Sequence, residues 1–226
     1  MFDRLLNVIG KDNYELLRSK KILLVGIGGV GGYALECLVR SGIEQITIAD
    51  FDTIEITNLN RQIISTQHNI NCLKVDEAKK RAESINSNID IKIYAEKLTS
   101  VNIEDFLSDN YDYIIDACDD VSLKCEMIKI ASKRRLNIIS CMGTGNRLHP
   151  ENCQISKLKN TQNDPLAKKM RYILGKEDKK YLETFVVWSS EIPKRVEKLG
   201  TVCPVPMAAG SILAGFVINS IIKEQN

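Results

Sequence analysis

The stretch that most constrains this fold is Lys21–Gly32, which reads KILLVGIGGVGG. Its first half is an apolar run, as expected for a strand buried on both faces of a parallel sheet. Gly26, Gly28 and Gly31 follow with GxGxxG spacing. Val30–Arg40 then has apolar residues on one helical face. This order predicts a nucleotide site, because the unpaired amides and dipole at the helix start suit phosphate. The alternative is a tight strand-to-helix turn that binds no ligand.

The rest of the chain continues to alternate strand-like and helix-like segments. We predict strands at 45–50, 89–95, 111–117, 136–141, 154–158 and 185–188, and helices at 12–19, 75–86 and 122–134. The predicted fold class is therefore α/β, with a Rossmann-like, doubly wound, mainly parallel sheet, added C-terminal strands and an apolar C-terminal helix.

Domain organisation follows from the absence of a clear linker or internal repeat. The chain has 226 residues, of which 44% are hydrophobic, and this suits one globular domain over residues 1–226. We expect a nucleotide-binding core at about 20–141, a substrate-facing excursion at about 142–204 and the C-terminal helix at about 205–223.

Polar residues after the second predicted strand indicate which nucleotide is bound. Asp50 ends that strand, where an acidic residue normally binds ribose hydroxyls. Arg61 and Lys74 follow, and cations returning to the phosphate loop favour a triphosphate over a dinucleotide. Each cation alone is more often a solvated surface residue. An NAD-binding sensor domain without chemistry therefore stays open on the glycine loop and Asp50 alone.

A second acidic site follows the fourth predicted strand, in the sequence DACDD. Asp119 and Asp120 stand at the carboxyl end of that strand, where open α/β sheets bind their ligands. Their oxygens suit a magnesium ion beside phosphates. The alternative is that one of them caps the helix predicted at 122–134.

Composition excludes some classes of protein. The formal net charge is only +2, so any contact with nucleic acid must come from local patches. Seven cysteines contain no CxxC pair, which argues against a structural zinc site. Their odd number, without a signal peptide, argues for reduced thiols in a cytoplasm. The apolar stretch Val205–Ile222 is interrupted by polar residues, so we expect a buried helix and no membrane span. The lysine-rich stretch 157–180 predicts either a solvated face or a surface for RNA.

The assembled motifs resemble a known superfamily. GIGGVGG, ADFDTIEITNLNRQ, Lys74 and DACDD occur in the order found in ubiquitin-activating-enzyme-like proteins, which include the ThiF-like adenylyltransferases of the molybdopterin and thiamine pathways. Sparse polar positions agree across about a hundred residues, far more than a lone GxGxxG provides. The later half of the chain resembles the tRNA threonylcarbamoyladenosine dehydratase branch, in the stretches SCMGTGNRLHPENCQISKLKNTQNDPLAKKMR and VVWSSEIP.

The resemblance implies a set of site residues. The ATP-binding residues would be Gly28, Gly29, Asp50, Asp52, Asn58, Arg61, Lys74 and Asp119. Arg61, Lys74 and Asp119 would also be catalytic, and Asp119 would hold magnesium together with ATP. Arg4 would complete the catalytic set by reaching into the other subunit's site in a homodimer.

The resemblance also implies a reaction and its partners. The expected activity is ATP-dependent dehydration and cyclisation of N6-threonylcarbamoyladenosine, beside the anticodon of tRNA, through an acyl-adenylate. ATP and Mg²⁺ would be the cofactors, tRNA the substrate and the cytoplasm the location, while any sulfur-transfer or redox partner stays unidentified. The alternative reaction is adenylation of the C-terminal glycine of a small sulfur-carrier protein. The missing zinc cysteines and the sequence NDPLAKKMR weigh against that alternative.

Overall fold

The computed structural model describes residues 1–107 and 111–223. Within these ranges the strands are β1 (Lys21–Val25), β2 (Gln45–Ala49), β3 (Asp90–Tyr94), β4 (Tyr113–Asp116), β5 (Asn137–Cys141), β6 (Cys153–Lys157) and β7 (Phe185–Ser189). The α-helices are α1 (Asp3–Ser19), α2 (Gly29–Arg40), α3 (Lys74–Ile85), α4 (Ile103–Phe106), α5 (Val121–Arg134), α6 (Pro165–Glu177) and α7 (Pro204–Lys223).

The strands form one mostly parallel sheet in the order β3-β2-β1-β4-β5-β7-β6. All neighbouring pairs are parallel except β6 and β7, which are antiparallel. The chain leaves β1 in one direction through β2 and β3 and in the other through β4 and β5. This reversal beside β1 creates the crevice in which open α/β sheets bind ligands. The predicted doubly wound α/β fold with added C-terminal strands is confirmed.

Successive residues of β1 pack against opposite helical layers. Ile22 and Leu24 are fully buried in the cluster that contains side chains of α1, α2, α3 and α7. Leu23 and Val25 are buried in the cluster formed with α4 and α5. Because helices cover both faces, the strand needs apolar side chains at consecutive positions, which explains the unbroken run in the sequence.

Helix α7 is a core helix of this fold. Val205, Leu213 and Val217 are fully buried, and a Cβ on Gly210 would lie 2.4 Å from the carbonyl oxygen of Val30 in α2. This close approach requires glycine. Among the described residues, α7 is also the helix that is long and apolar enough to cross a membrane by length and composition. Part of that apolar surface packs on the sheet and on α2, and 44% of the stretch Pro204–Ile222 is buried.

Helix α6 was missed by the sequence analysis, which treated residues 157–180 by their charge alone. Asp164 accepts a hydrogen bond from the amide of Ala167 at 2.9 Å, and Pro165 occupies the first helical position. An aspartate N-cap followed by proline is a favourable helix start, and this pair could have been recognised from the sequence. Met170 and Leu174 are fully buried on the inner face, so the lysines lie on a folded helix.

The N-terminal helix is longer than predicted. The pattern indicated a helix at 12–19, and the structure extends it to Asp3–Ser19 with a break at Gly10, whose φ is 79°. Glycine adopts this left-handed conformation without a steric penalty. The residue therefore separates two helical segments that meet at a kink.

Candidate active site

A cleft of about 430 Å³ opens at the carboxyl ends of β1, β2 and β4. It occupies the position where the strand order reverses. Its lining contains every residue predicted to bind the nucleotide, which are Gly28, Gly29, Asp50, Asp52, Asn58, Arg61, Lys74 and Asp119. The structure thus brings together residues from the loops after three different strands.

The glycine loop between β1 and α2 needs its glycines for steric reasons. A Cβ on Gly26, whose φ is 90°, would lie 2.8 Å from the backbone of Ala117. A Cβ on Gly31 would lie 1.8 Å from the carbonyl oxygen of Gly26. Gly28 differs, since the atom nearest to a Cβ there would be Gln62 Nε2 at 3.9 Å. Gly28 therefore faces open space beside the first-turn amides of α2, where an anion can approach the backbone.

Asp50 joins the end of β2 to the glycine loop. Its Oδ2 accepts a hydrogen bond from the amide of Ile27 at 2.6 Å, and its Oδ1 accepts one from the amide of Asp52 at 2.9 Å. Burial raises the pKa of the Asp50 carboxyl, and this effect outweighs the lowering by Lys74 and by the two amide bonds. Each oxygen keeps a further lone pair, so the carboxylate can also accept ribose hydroxyl groups.

Lys74 returns to the cleft at the start of α3. Its ammonium lies 2.6 Å from Asp52 Oδ2, and its amide donates to the carbonyl oxygen of Asp52 at 3.0 Å. An isolated antiparallel β-bridge between Thr53 and Leu73 closes the loop between Asp52 and Lys74. Lys74 is only 6% exposed, although the Asp52 side chain remains open to solvent. The ammonium of Lys74 therefore lies at the cleft, although most of the Lys74 side chain is buried.

Asn58 and Arg61 lie on the short helical turns that follow β2. Asn58 is buried, and its Oδ1 accepts a hydrogen bond from the amide of Glu55 at 3.1 Å. Arg61 is half-buried and donates through Nη1 to the carbonyl oxygen of Thr57 at 2.7 Å. A Cβ on Gly29 would lie 3.4 Å from Arg61 Cγ, so the arginine packs directly on the glycine loop. Its other guanidinium N–H groups can then contact a phosphate bound there.

The two aspartates after β4 have different tasks. Asp120 is the N-cap of α5, and its Oδ1 accepts hydrogen bonds from the amides of Ser122 and Leu123 at 2.8 and 3.0 Å. Asp119 is exposed and lines the cleft. The sequence left open which residue caps the helix, and the structure assigns that role to Asp120.

Behind this loop lies a buried ion pair that the sequence analysis missed. Lys124 Nζ contacts Asp116 Oδ2 at 2.9 Å, and both side chains are fully buried. Ser140 also donates to that oxygen, while the amide and thiol of Cys118 donate to Asp116 Oδ1 at 3.2 and 3.1 Å. Burial opposes the charge of Lys124, but attraction to Asp116 outweighs it and raises the pKa of Lys124. The sequence did contain a sign of this ion pair, because Lys124 lies on the otherwise apolar face of α5.

The pair supports the turn that carries Asp119. Asp116 ends β4, and its carboxylate orders Cys118, the residue immediately before Asp119. Desolvation and the neighbouring carboxylate raise the pKa of the Cys118 thiol, which keeps it neutral. Cys118 therefore acts as a hydrogen-bond donor here and lacks the thiolate character of a nucleophile.

Later parts of the chain close one side of the cleft. Thr144, Thr201 and Pro206 line it, all of them from beyond β5. Phe51 also lines it, with the ammonium of Lys97 5.1 Å from the ring centroid. Thr144, Thr201 and Pro206 were not predicted, because no local motif connects them to the glycine loop.

Two sequence-based expectations remain predictions. Arg4 lies exposed on the first turn of α1 and is not part of the lining of this chain's cleft. Within residues 1–107 and 111–223, the structure contains no group of three or more His, Cys, Asp or Glu side chains arranged to hold a metal. The absence of a zinc site therefore stays a prediction for the chain as a whole.

Comparison with known proteins gives consistent matches. The sequence pattern of the ThiF family matches residues 2–225. The tRNA threonylcarbamoyladenosine dehydratase of Bacillus subtilis is 33% identical over 236 residues, covering 96% of this chain and 92% of the relative. The Escherichia coli protein of that name is 32% identical over 206 residues, covering 88% and 77%. The crystal structure of E. coli tRNA N6-threonylcarbamoyladenosine dehydratase with ATP is similar at a TM-score of 0.94 and 28% identity, covering 99% of this chain and 94% of that one.

Proposed function

This chain belongs to the ThiF family and, within it, to the tRNA threonylcarbamoyladenosine dehydratase branch, and on this premise we propose that it dehydrates N6-threonylcarbamoyladenosine in tRNA with ATP. The observation that carries the proposal is the meeting of Arg61 and Lys74 at the glycine loop, with Asp119 on the same cleft. A dinucleotide-binding site requires only the glycine loop and Asp50. The two additional cations, Arg61 and Lys74, suit a site in which a phosphate group gains charge during the reaction.

The reaction needs ATP because a carboxylate is a poor electrophile. Attack of the threonyl carboxylate oxygen on the α-phosphate breaks the bond to the β-phosphate and releases pyrophosphate. The resulting acyl-adenylate has AMP as its leaving group. A neighbouring atom of the same modification then attacks the activated carbonyl, a proton is lost, and AMP departs with one carboxylate oxygen. The base thus loses the elements of water, and ring closure benefits from an intramolecular nucleophile.

The cleft residues have separate roles in this proposal. The first-turn amides of α2, beside Gly28 and Gly29, hold phosphate oxygens, and Asp50 accepts the ribose hydroxyls. Arg61 and Lys74 stabilise charge on the α-phosphate and on the departing pyrophosphate. Asp52 holds the Lys74 ammonium at 2.6 Å, so it supports this role indirectly. The buried position of Lys74 makes its charge effective, because little water screens it.

Magnesium is the cation that we propose to accompany ATP. Asp119 offers an exposed carboxylate on the cleft for which the described residues provide no hydrogen-bond donor. Mg²⁺ usually takes one or two carboxylates together with substrate phosphates and water, so a single available aspartate suits it. When bound, the ion would neutralise phosphate charge. Chelation with EDTA is expected to stop AMP formation, and Asp119→Asn to raise the magnesium concentration that gives half the maximal rate.

We further propose that residues 1–226 act as one adenylating domain, located in the cytoplasm, and that two copies form a homodimer in which Arg4 completes the partner's site. The exposed position of Arg4 away from its own cleft supports this arrangement. Arg4→Ala and Arg61→Ala homodimers should each be inactive. Mixed dimers would contain one intact site, so an equal mixture should recover about a quarter of the activity in an isologous pair. A mixture that forms mixed dimers yet stays inactive would contradict the shared site.

The proposed reaction is tested directly by mass spectrometry of tRNA nucleosides. Purified protein is incubated with ATP, magnesium and tRNA that carries N6-threonylcarbamoyladenosine. The expected product is a nucleoside lighter by one water, with AMP and pyrophosphate formed in equal amounts. Parallel reactions contain a sulfur-carrier protein in place of tRNA, or unmodified tRNA. Pyrophosphate release that depends only on the carrier would overturn the proposal in favour of carrier adenylation. Tight binding of NAD without a response to ATP and magnesium would overturn adenylation altogether.

A further inference from the structure

The basic stretch 157–180 divides into lysines that contact an acidic side chain and lysines that do not. Lys157 and Lys159 each lie 2.6 Å from the carboxylate of Glu183. Lys180 lies 3.1 Å from Asp178. These lysines are therefore engaged with acidic neighbours on the protein itself. Charge in this group is less available to an external partner than the sequence suggests.

Apart from Lys179, which follows the helix, the second set lies on the outer face of α6. Lys168 and Lys169 are exposed, and neither has an acidic partner within 4 Å among residues 1–107 and 111–223. Lys168, Tyr172 and Lys176 follow at intervals of one helical turn, so they share one face over about 12 Å. We call Lys168, Lys169, Tyr172 and Lys176 the α6 stripe. The opposite face of α6 packs into the core, which leaves the stripe facing outward.

Tyr172 gives the stripe a feature that a solvated lysine face lacks. Its side chain is 63% exposed, although a large aromatic ring gains free energy by burial. The Lys176 ammonium lies 4.1 Å from the ring centroid and donates to the Tyr172 hydroxyl. These contacts orient the ring on the surface. An oriented aromatic ring between free cations matches nucleic acid, because bases stack on such rings while lysines neutralise the adjacent phosphates.

The stripe is also linked to the ATP cleft. Asp164, the N-cap of α6, accepts a hydrogen bond from the amide of Gly143 at 3.1 Å. It also forms a buried ion pair with Arg147 at 3.1 Å. Thr144, next to Gly143, lines the cleft. The start of α6 is therefore tied to the cleft wall, and the stripe begins one helical turn beyond it.

We propose that the α6 stripe binds a single-stranded RNA loop, with phosphates on Lys168 and Lys169 and a base stacked on Tyr172. This inference rests on the proposed function, since the cleft would then act on a nucleotide of the same loop. Single-stranded loops expose unstacked bases, which a duplex does not. An acidic protein surface would use the lysines but leave the exposed ring without a role.

The test compares two double variants of equal charge change. Lys168→Ala/Lys169→Ala removes free cations, and Lys157→Ala/Lys159→Ala removes cations already paired with Glu183. Binding of tRNA is measured by fluorescence anisotropy between 50 and 200 mM salt, a range over which phosphate contacts weaken strongly. We expect the first variant to bind about tenfold more weakly and to reduce the slope of log affinity against log salt by about 1.4, and the control to change little. ATP affinity should be unchanged in both.

Tyr172 supplies an independent test. Tyr172→Ala should weaken tRNA binding by a factor between about 5 and 150, and Tyr172→Phe should bind tRNA as wild type does, because stacking needs only the ring. Equal affinity of wild type and the Lys168/Lys169 variant would overturn the inference, as would equal losses in both double variants. So would a stripe variant that binds tRNA normally but no longer binds an acidic protein needed for turnover. Wild type that binds tRNA through the stripe but never dehydrates it would instead overturn the proposed function alone.

Discussion

Replacing Lys124 by methionine is expected to destabilise the protein strongly, because it leaves a carboxylate buried without its cation. Lys124 and Asp116 are both fully buried and lie 2.9 Å apart. Removing one partner of such a pair typically costs about 3–5 kcal/mol of unfolding free energy. For a chain of this size, that loss corresponds to a fall in Tm of roughly 6–20 °C. Methionine has a similar length and no charge, so the change isolates the ion pair from packing.

The assay is thermal unfolding and urea unfolding of wild type and variant at the same concentration. Lys129→Met on the same helix is the matched control, since Lys129 contacts Glu126 and Glu177 but lies nearer the surface. A partly exposed pair is worth at most about 1 kcal/mol, so the control should change Tm by only a few degrees. Combining Lys124→Met with Asp116→Asn should recover part of the loss, because the uncompensated charge is removed.

The same variant should also weaken ATP binding. Asp116 orders the backbone and thiol of Cys118, and the turn they form carries Asp119 into the cleft. Below its lowered Tm, the folded variant should therefore need more ATP and magnesium for half-maximal turnover, while the Lys129→Met control should not. A Tm within 2 °C of wild type would refute the reasoning, because it would mean that Asp116 finds another partner or is not charged.

Three further predictions concern the cleft itself. Arg61→Ala should lower turnover by a hundredfold or more with a stability loss of about 1 kcal/mol in urea unfolding, since the arginine loses two solvent-exposed hydrogen bonds, to Thr57 and to Asn60. Gly31→Ala should unfold at lower temperature and lose ATP binding, because its Cβ would lie 1.8 Å from Gly26, whereas Gly28→Ala should keep its Tm. The raised pKa of Asp50 means that this carboxyl takes up a proton at a higher pH than a free aspartate. ATP affinity should therefore fall on acidification, measured by calorimetry, and Asp50→Asn should lack that part of the pH dependence.

Local patterns predicted much of the fold. The strand segments were identified to within a few residues, because strands covered on both faces are rich in apolar side chains. Helix α6 was missed because the lysines of one face dominated its composition, even though Asp164 and Pro165 marked its start. The kink at Gly10 was also missed, since a single glycine can end a helix or redirect it.

The nucleotide cleft was predictable for a related reason. Each of its parts is a short motif directly after a strand, and parallel strands bring their carboxyl ends to one edge of the sheet. The motifs at Gly28, Asp50 and Asp119 therefore had to meet at the cleft. The resemblance to a known superfamily added which ligand the site takes, and comparison over the whole chain confirmed the family.

What only the tertiary structure decided is how polar side chains pair across the chain. Local sequence determined the strand, the glycine turn and the helix start, since these depend on sterics and burial over a few residues. Lys74 and Asp52, or Lys157 and Glu183, are far apart in sequence, and their contacts depend on how intervening loops close. Electrostatic interaction depends on distance in space, so the sequence alone could not show which lysines contact a carboxylate and which remain free to bind a partner.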